Sequence, residues 1–126
     1  MNQSSFSVRY RRAPDTSGLS DLIEGWLQQW GTVYQRDVTW RAYDPSRDEQ
    51  FRFRLDMIIM PVIGRRPTDY LLLEIQSPQQ HIVTARRTDA RRYLLKSLWP
   101  GRMLMLESHL LRVDPEAAQI RILNAL

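Results

Sequence analysis

Asp56 and Glu74 are the lone carboxylates in two runs that otherwise read as buried strands, within FRLDMIIMPVIGRRPTDYLLLEIQSP from Phe53 to Pro78. Burying an unpaired carboxylate is costly, and a small domain has little stability to spare. Either the acids face water at an edge or they hold a cation. Side chains alternate along a strand, so Tyr70, Leu72, Glu74 and Gln76 are expected on one face and Leu71, Leu73 and Ile75 on the other. GRRPTD reads as the turn between the runs, which predicts an antiparallel pair bringing Asp56 and Glu74 together. Two carboxylates plus the backbone carbonyl of Ile75 suit a hard divalent cation such as Mg²⁺ or Mn²⁺. Such an ion can activate water and stabilise charge developing on a phosphodiester.

The positioning elements follow from hydrophobic periodicity. After Thr16-Ser17, which can cap a helix, apolar residues fall at Leu19, Leu22, Ile23, Trp26, Leu27 and Trp30, a helical period closed by Gly31. Val33 to Tyr43 is rich in β-branched and aromatic residues and predicts a strand, with DPSRDE as the following turn. Phe51 to Val62 alternates at first and becomes apolar on both faces at Met57, as a strand that enters a core does. Tyr70 to Gln76 is the next strand. Thr84 to Leu98 predicts a helix with Ala90, Tyr93, Leu94 and Leu98 on its apolar side and Asp89, Arg92 and Lys96 on a polar stripe. Arg102 to Glu107 is a short strand. In the tail, Asp114-Pro115-Glu116 could start a helix, whereas Gln119 to Leu123 alternates; the alternation favours a strand. The expectation is an α/β (α+β) domain over residues 17–126, a mixed sheet flanked by helices, preceded by a loose basic arm over 1–16.

This order, with its acids, resembles the PD-(D/E)XK, or restriction-endonuclease-like, nucleases. Their core runs helix, three strands, helix, strand, with an Asp early on the second strand and a (D/E)-X-K element on the third. Asp56 matches the first acid, and Glu74-Ile75-Gln76 matches the second element with Gln in the Lys position. The resemblance spans roughly residues 17 to 107, and its motif is short and degenerate. It extends to the small very-short-patch-repair-like branch, whose helical acid, His and following Asp and basic residue correspond to Glu24, His81, Asp89 and Arg92. Asp89-Ala-Arg-Arg-Tyr93 is similar to the Q-x-x-x-Y element of RecB-like nucleases, with Asp for Gln. On the first helix Glu24 flanks the apolar stripe while Asp21 points nearly opposite it.

The resemblance implies a Mg²⁺- or Mn²⁺-dependent DNA endonuclease or nickase. Asp56, Glu74 and the Ile75 carbonyl would hold metal, Gln76 and Glu24 would assist, and His81, Asp89 and Tyr93 would shape the site. Arg65, Arg66, Arg86, Arg87, Arg91, Arg92 and Lys96 would contact DNA phosphates. Gln76 can only hydrogen-bond where lysine would offset charge, so two other readings stay open. One is a non-cleaving nuclease-fold module that binds nucleic acid or a partner protein. The other is a phage or mobile-element assembly protein of unrelated α/β fold.

Composition bounds these readings. The 126-residue chain fits one domain and has no cysteine, which excludes disulfides, thiolate zinc sites and cysteine nucleophiles. No apolar run approaches a membrane span and no secretory signal is visible, so the expected setting is the cytoplasm. A net charge of +4, with seventeen of the eighteen basic residues being Arg, suits a polyanionic partner, and a GC-rich genome would give the same Arg bias. A chain this short has little room for a separate specificity domain, pointing to a homodimer or a subunit of a larger complex. Taken singly, each acid also has a plain structural reading: Asp56 could pair with Arg52 or Arg54, and Glu74 and Gln76 could mark a solvent face. The tryptophans read as core anchors.

Overall fold

The computed structural model describes residues 17–60, 67–77 and 82–126, with side chains in the helix that starts at 82 described from Asp89 onward. Helix α1 (Ser17–Gln29) is followed by strands β1 (Val33–Asp44), β2 (Glu49–Met60) and β3 (Leu71–Gln76). Helix α2 (Ile82–Leu98) leads to strand β4 (Arg102–Glu107), and helices α3 (Ser108–Val113) and α4 (Pro115–Ala125) complete the described chain. The strands form one mixed sheet in the order β1-β2-β3-β4, antiparallel between β1 and β2 and between β2 and β3, parallel between β3 and β4. The arm at 1–16 and the candidates Arg65, Arg66 and His81 lie outside the described residues, as do the side chains of Arg86 and Arg87.

Each face of the sheet is buried against helix. On one face Ile23, Trp26 and Leu27 of α1, Leu111 of α3 and Ala118 and Ile122 of α4 pack on Met57, Ile59, Leu71, Leu73 and Leu106. On the other, Leu95 and Trp99 pack on Ala42, Phe53, Leu55, Ile58 and Leu72. Full burial of a side chain such as Ile23 or Leu73 stabilises the fold by about 1.5–3 kcal/mol, which makes these stripes the main restraint on where the helices sit. Trp40 meets Trp99 edge-on at 5.0 Å and stacks on Phe53 at 5.8 Å, so the tryptophans there are core anchors.

The punctuation is chemical. Gly31 takes φ +69° at the end of α1 and lets Thr32 N–H reach back to the Leu27 carbonyl at 2.9 Å, closing the helix. At the β1–β2 turn the buried Asp44 carboxylate accepts from Ser46 N, Ser46 Oγ and Arg47 Nη1, fixing the hairpin.

The tail differs from the strand expected over Gln119 to Leu123: these residues are inside α4. Pro115 occupies the first turn, where its missing N–H costs nothing, and the Asp114 carboxylate accepts from Ala117 N at 3.2 Å. Ala118 and Ile122, four residues apart, are both fully buried, which is a helical and not an alternating period. Asp114→Ala should therefore cost about 1 kcal/mol in urea unfolding, through fraying of α4.

The predicted apolar side of α2 is also rotated from the one observed. Tyr93 is 73% exposed and Ala90 is exposed, while Leu95 is fully buried beside Leu94 and Leu98. The cause is Arg91, which lies on the inward side of α2 because its charge has partners there.

Candidate functional site

The site originates in a kink shared by β1 and β2. In β2, Phe53 and Leu55 pack on the α2 side of the sheet, whereas Met57 and Ile59 pack on the α1 side. In β1, Tyr34 packs on the α1 side and Val38, Trp40 and Ala42 on the α2 side. Both strands change face between the paired positions Arg36–Met57 and Val38–Leu55, where Asp37 and Asp56 sit. Asp37 has φ +59°, a left-handed conformation that Asp tolerates better than most residues. Arg54 holds its carboxylate with two bonds of 2.8 and 2.9 Å.

The kink ends the β2–β3 ladder. The strands pair at Ile59–Leu71, Ile58–Leu72 and Met57–Leu73, and the next opposed couple is Asp56 and Glu74. There the carboxylates replace the ladder. Asp56 N–H donates to Glu74 Oε2 at 2.8 Å, and Ile75 N–H donates to Asp56 Oδ2 at 2.7 Å. Each strand's acid thus satisfies a backbone donor of the other where the strands part, as buried backbone groups require. The two acids converge as the sequence predicts, and Asp56 pairs with neither Arg52 nor Arg54 among the described bonds.

A single guanidinium closes the pair. Arg91 Nη1 donates to Glu74 Oε1 at 3.2 Å, its Nη2 donates to the Arg54 carbonyl at 2.7 Å, and its Cζ lies 5.8 Å from the Phe53 ring centre. Arg91, expected to contact phosphate, is an internal neutralising group whose bonds go to Glu74 and the Arg54 carbonyl. Its sequence signal is the spacing to Leu95 four residues later, which places it on the buried side of α2. Two carboxylates against one guanidinium leave a deficit of positive charge. Burial first and the Asp56 charge second push the Glu74 carboxyl up to about 7, against the opposing pull of Arg91. Burial also raises Asp56, offset in part by its bond from Ile75 and by Arg91.

The remaining candidates are dispersed. Glu24 accepts from Tyr34 Oη at 2.6 Å and from Arg36 at 3.0 Å, so its bonds go to β1 and not to the acid pair. Asp21, expected to point away, reaches the same Arg36, because residues three apart share a helix flank. Asp89 and Arg92 pair with each other at 3.3 Å, and Tyr93 and Lys96 are exposed. Gln76 shares a strand face with Glu74, and its amide nitrogen lies 2.7 Å from the weak acceptor Met105 Sδ. It lines a groove of about 280 Å³ with Ser77, Arg92, Glu107, Ser108 and His109. Ser108 is fully buried and its Oγ has no partner among the described residues. The sequence reading singled out neither Ser108 nor Glu107; a small hydroxyl at a strand-to-helix junction carries no signal of its own.

The chain matches no family model, no curated protein and no solved structure. Asp56 and Glu74 fit a hard cation by ligand chemistry and by their deficit of positive charge. Among the described residues no group of three His, Cys, Asp or Glu is placed to hold a metal, so an ion there would draw its other ligands from backbone carbonyl and water. Among the described residues no helix is long and apolar enough to cross a membrane.

Proposed function

We propose that the protein is a metal-dependent phosphodiesterase of DNA, an endonuclease or nickase on a restriction-endonuclease-like core, working as a homodimer or as a subunit of a larger assembly. One observation carries the reading: Asp56 and Glu74 face each other from adjacent strands where the ladder opens, each bonded to the other's strand. Two adjacent buried acids are costly unless something positive joins them, even where they also cap backbone donors. Asp56, Glu74 and the Ile75 carbonyl would hold Mg²⁺ or Mn²⁺, which when bound supplies a Lewis acid and an activated water. Gln76, two residues beyond Glu74 on the same face, can orient a water or phosphate oxygen by hydrogen bonding. Arg91 supplies the fixed positive charge that Gln76 lacks, and from its place beside Glu74 it can balance charge developing on a phosphate.

The Arg91–Glu74 ion pair also favours a second reading, a non-cleaving module of the same fold in which the guanidinium permanently replaces the ion. Supercoiled plasmid incubated with Mg²⁺ or Mn²⁺ separates the two. Wild type should yield open circles, and Asp56→Ala and Glu74→Ala should abolish them. Equal traces of nicking from all three proteins, or none, would eliminate the hydrolytic reading. Salt-sensitive binding without cleavage is what the module predicts.

A further inference from the structure

Beyond the kink, β1 and β2 continue as a two-stranded ribbon without β3, whose pairing with β2 is confined to residues 57–59. One side of the ribbon, with Val38, Trp40, Ala42, Phe51 and Phe53, packs toward α2 and Trp99. By alternation the other side carries Thr39, Arg41, Tyr43, Gln50, Arg52 and Arg54. Arg41 and Arg52 are direct cross-strand partners and both are exposed. Like charges placed opposite each other disfavour an antiparallel pair.

Several other arginines of the surface meet carboxylates, although Arg102 and Arg121 do not among the described residues. Arg36 meets Asp21 and Glu24, Arg47 meets Asp44, Arg54 meets Asp37, and Arg92 meets Asp89. Among the described residues no carboxylate bonds Arg41 or Arg52. These two, with Gln50 and Phe51, line a recess of about 170 Å³. Two planar five-donor forks and a carboxamide around one hollow match the oxygens of a phosphodiester. Arg52 lies four residues from Asp56 on the same strand, roughly 13 Å at ~3.3 Å per residue, with its side chain on the face turned away from α2.

We propose that the Arg41–Arg52 couple is a phosphate clamp through which the hairpin holds the sugar-phosphate backbone of nucleic acid. The clamp rests on the nucleic-acid part of the reading above but not on its hydrolytic part. A bound phosphate turns the repulsive pair into an attractive triad, so the hairpin trades stability of the free protein for affinity.

The test measures binding of a labelled DNA duplex by fluorescence anisotropy in EDTA, across a salt series. Arg41→Ala should lower the slope of log K against log salt by about 1, and Arg41→Ala/Arg52→Ala by about 2, while Arg121→Ala on α4 should leave it unchanged. Arg41→Glu, which faces Arg52 with an opposite charge, should bind more weakly yet melt higher than wild type. An unchanged slope in the double variant would overturn the clamp, as would a lower melting temperature for Arg41→Glu. Displacement of the duplex by poly-glutamate at matched charge concentration would also overturn it, by assigning the recess to acidic polypeptide. Because binding is read in EDTA, loss of nicking in Asp56→Ala leaves the clamp standing, and loss of the clamp leaves the acid pair standing.

Discussion

Acidification from pH 8 to pH 5 is expected to stabilise the folded protein by on the order of 3 kcal/mol, where most proteins gain little. Glu74 has an ordinary carboxyl value of 4.5 and is pushed up to about 7 in the fold. Across that window the folded state binds more protons than the unfolded state, so stability falls as pH rises from 4.5 to about 7 and is recovered on acidification. Asp56 is raised as well and acts in the same direction. Asp37 and Asp44 have lowered values, so the stability they contribute is lost only as pH falls further, through their folded values below 3.8. In a domain of this size, 3 kcal/mol corresponds to roughly 10 °C in melting temperature. Glu74→Gln keeps the shape and removes the Glu74 titration; its melting temperature should vary less than that of wild type from pH 5 to 8 and should exceed it at pH 8. A wild-type melting curve flat over the same range would mean that the two acids are not buried together.

That pair was legible in the sequence, because alternation and a turn are enough to oppose residues on neighbouring strands. Asp56 sits in an apolar run and Glu74 in another, and the face shared by Tyr70, Leu72, Glu74 and Gln76 needs no tertiary information. The kink was not legible. Phe53, Leu55, Met57 and Ile59 keep a perfect period of two, yet the strand changes face among them. The cause lies on the neighbouring strand, at Asp37, and an Asp within a β-branched and aromatic run was the only trace of it.

The rotation of α2 and the conformation of the tail were missed for a related reason. Reading Arg91 as an outward residue turned the predicted apolar side toward Tyr93 and Ala90, and only the partners at Glu74 and the Arg54 carbonyl make its inward position affordable. In the tail, Ile120, Ile122 and Leu123 can be read as a strand or a helix over so short a span. What decides is that Ala118 and Ile122 meet Leu111 and the α1 stripe, a contact between residues distant in the chain. Contacts distant in the chain thus decide both elements, polar ones at the site for α2 and apolar ones for the tail.

Arg91 should accordingly be the most consequential single residue outside the acid pair. Arg91→Ala is expected to cost about 2–3 kcal/mol, less than the 3–5 typical of a severed buried ion pair, because the guanidinium is 35% exposed and water can partly replace it. Arg91→Met, which keeps the packing on Phe53 and loses the charge, should recover part of this in urea unfolding. The informative response is to Mg²⁺. With Arg91 in place the carboxylates already hold one positive group, so millimolar Mg²⁺ should raise the wild-type melting temperature only modestly. In Arg91→Ala no other guanidinium among the described residues bonds the pair, and the same Mg²⁺ should raise it by several degrees more, since a ligand bound only by the folded state stabilises it by mass action. Glu74→Gln combined with Arg91→Ala should abolish that response. If Mg²⁺ moves wild type and Arg91→Ala equally, the ion does not compete with the guanidinium, and Arg91 is a structural tie between α2 and the β2 backbone. If it moves neither, Asp56 and Glu74 are not a cation site, and nucleic-acid contact through Arg41 and Arg52 is the part of the reading that survives.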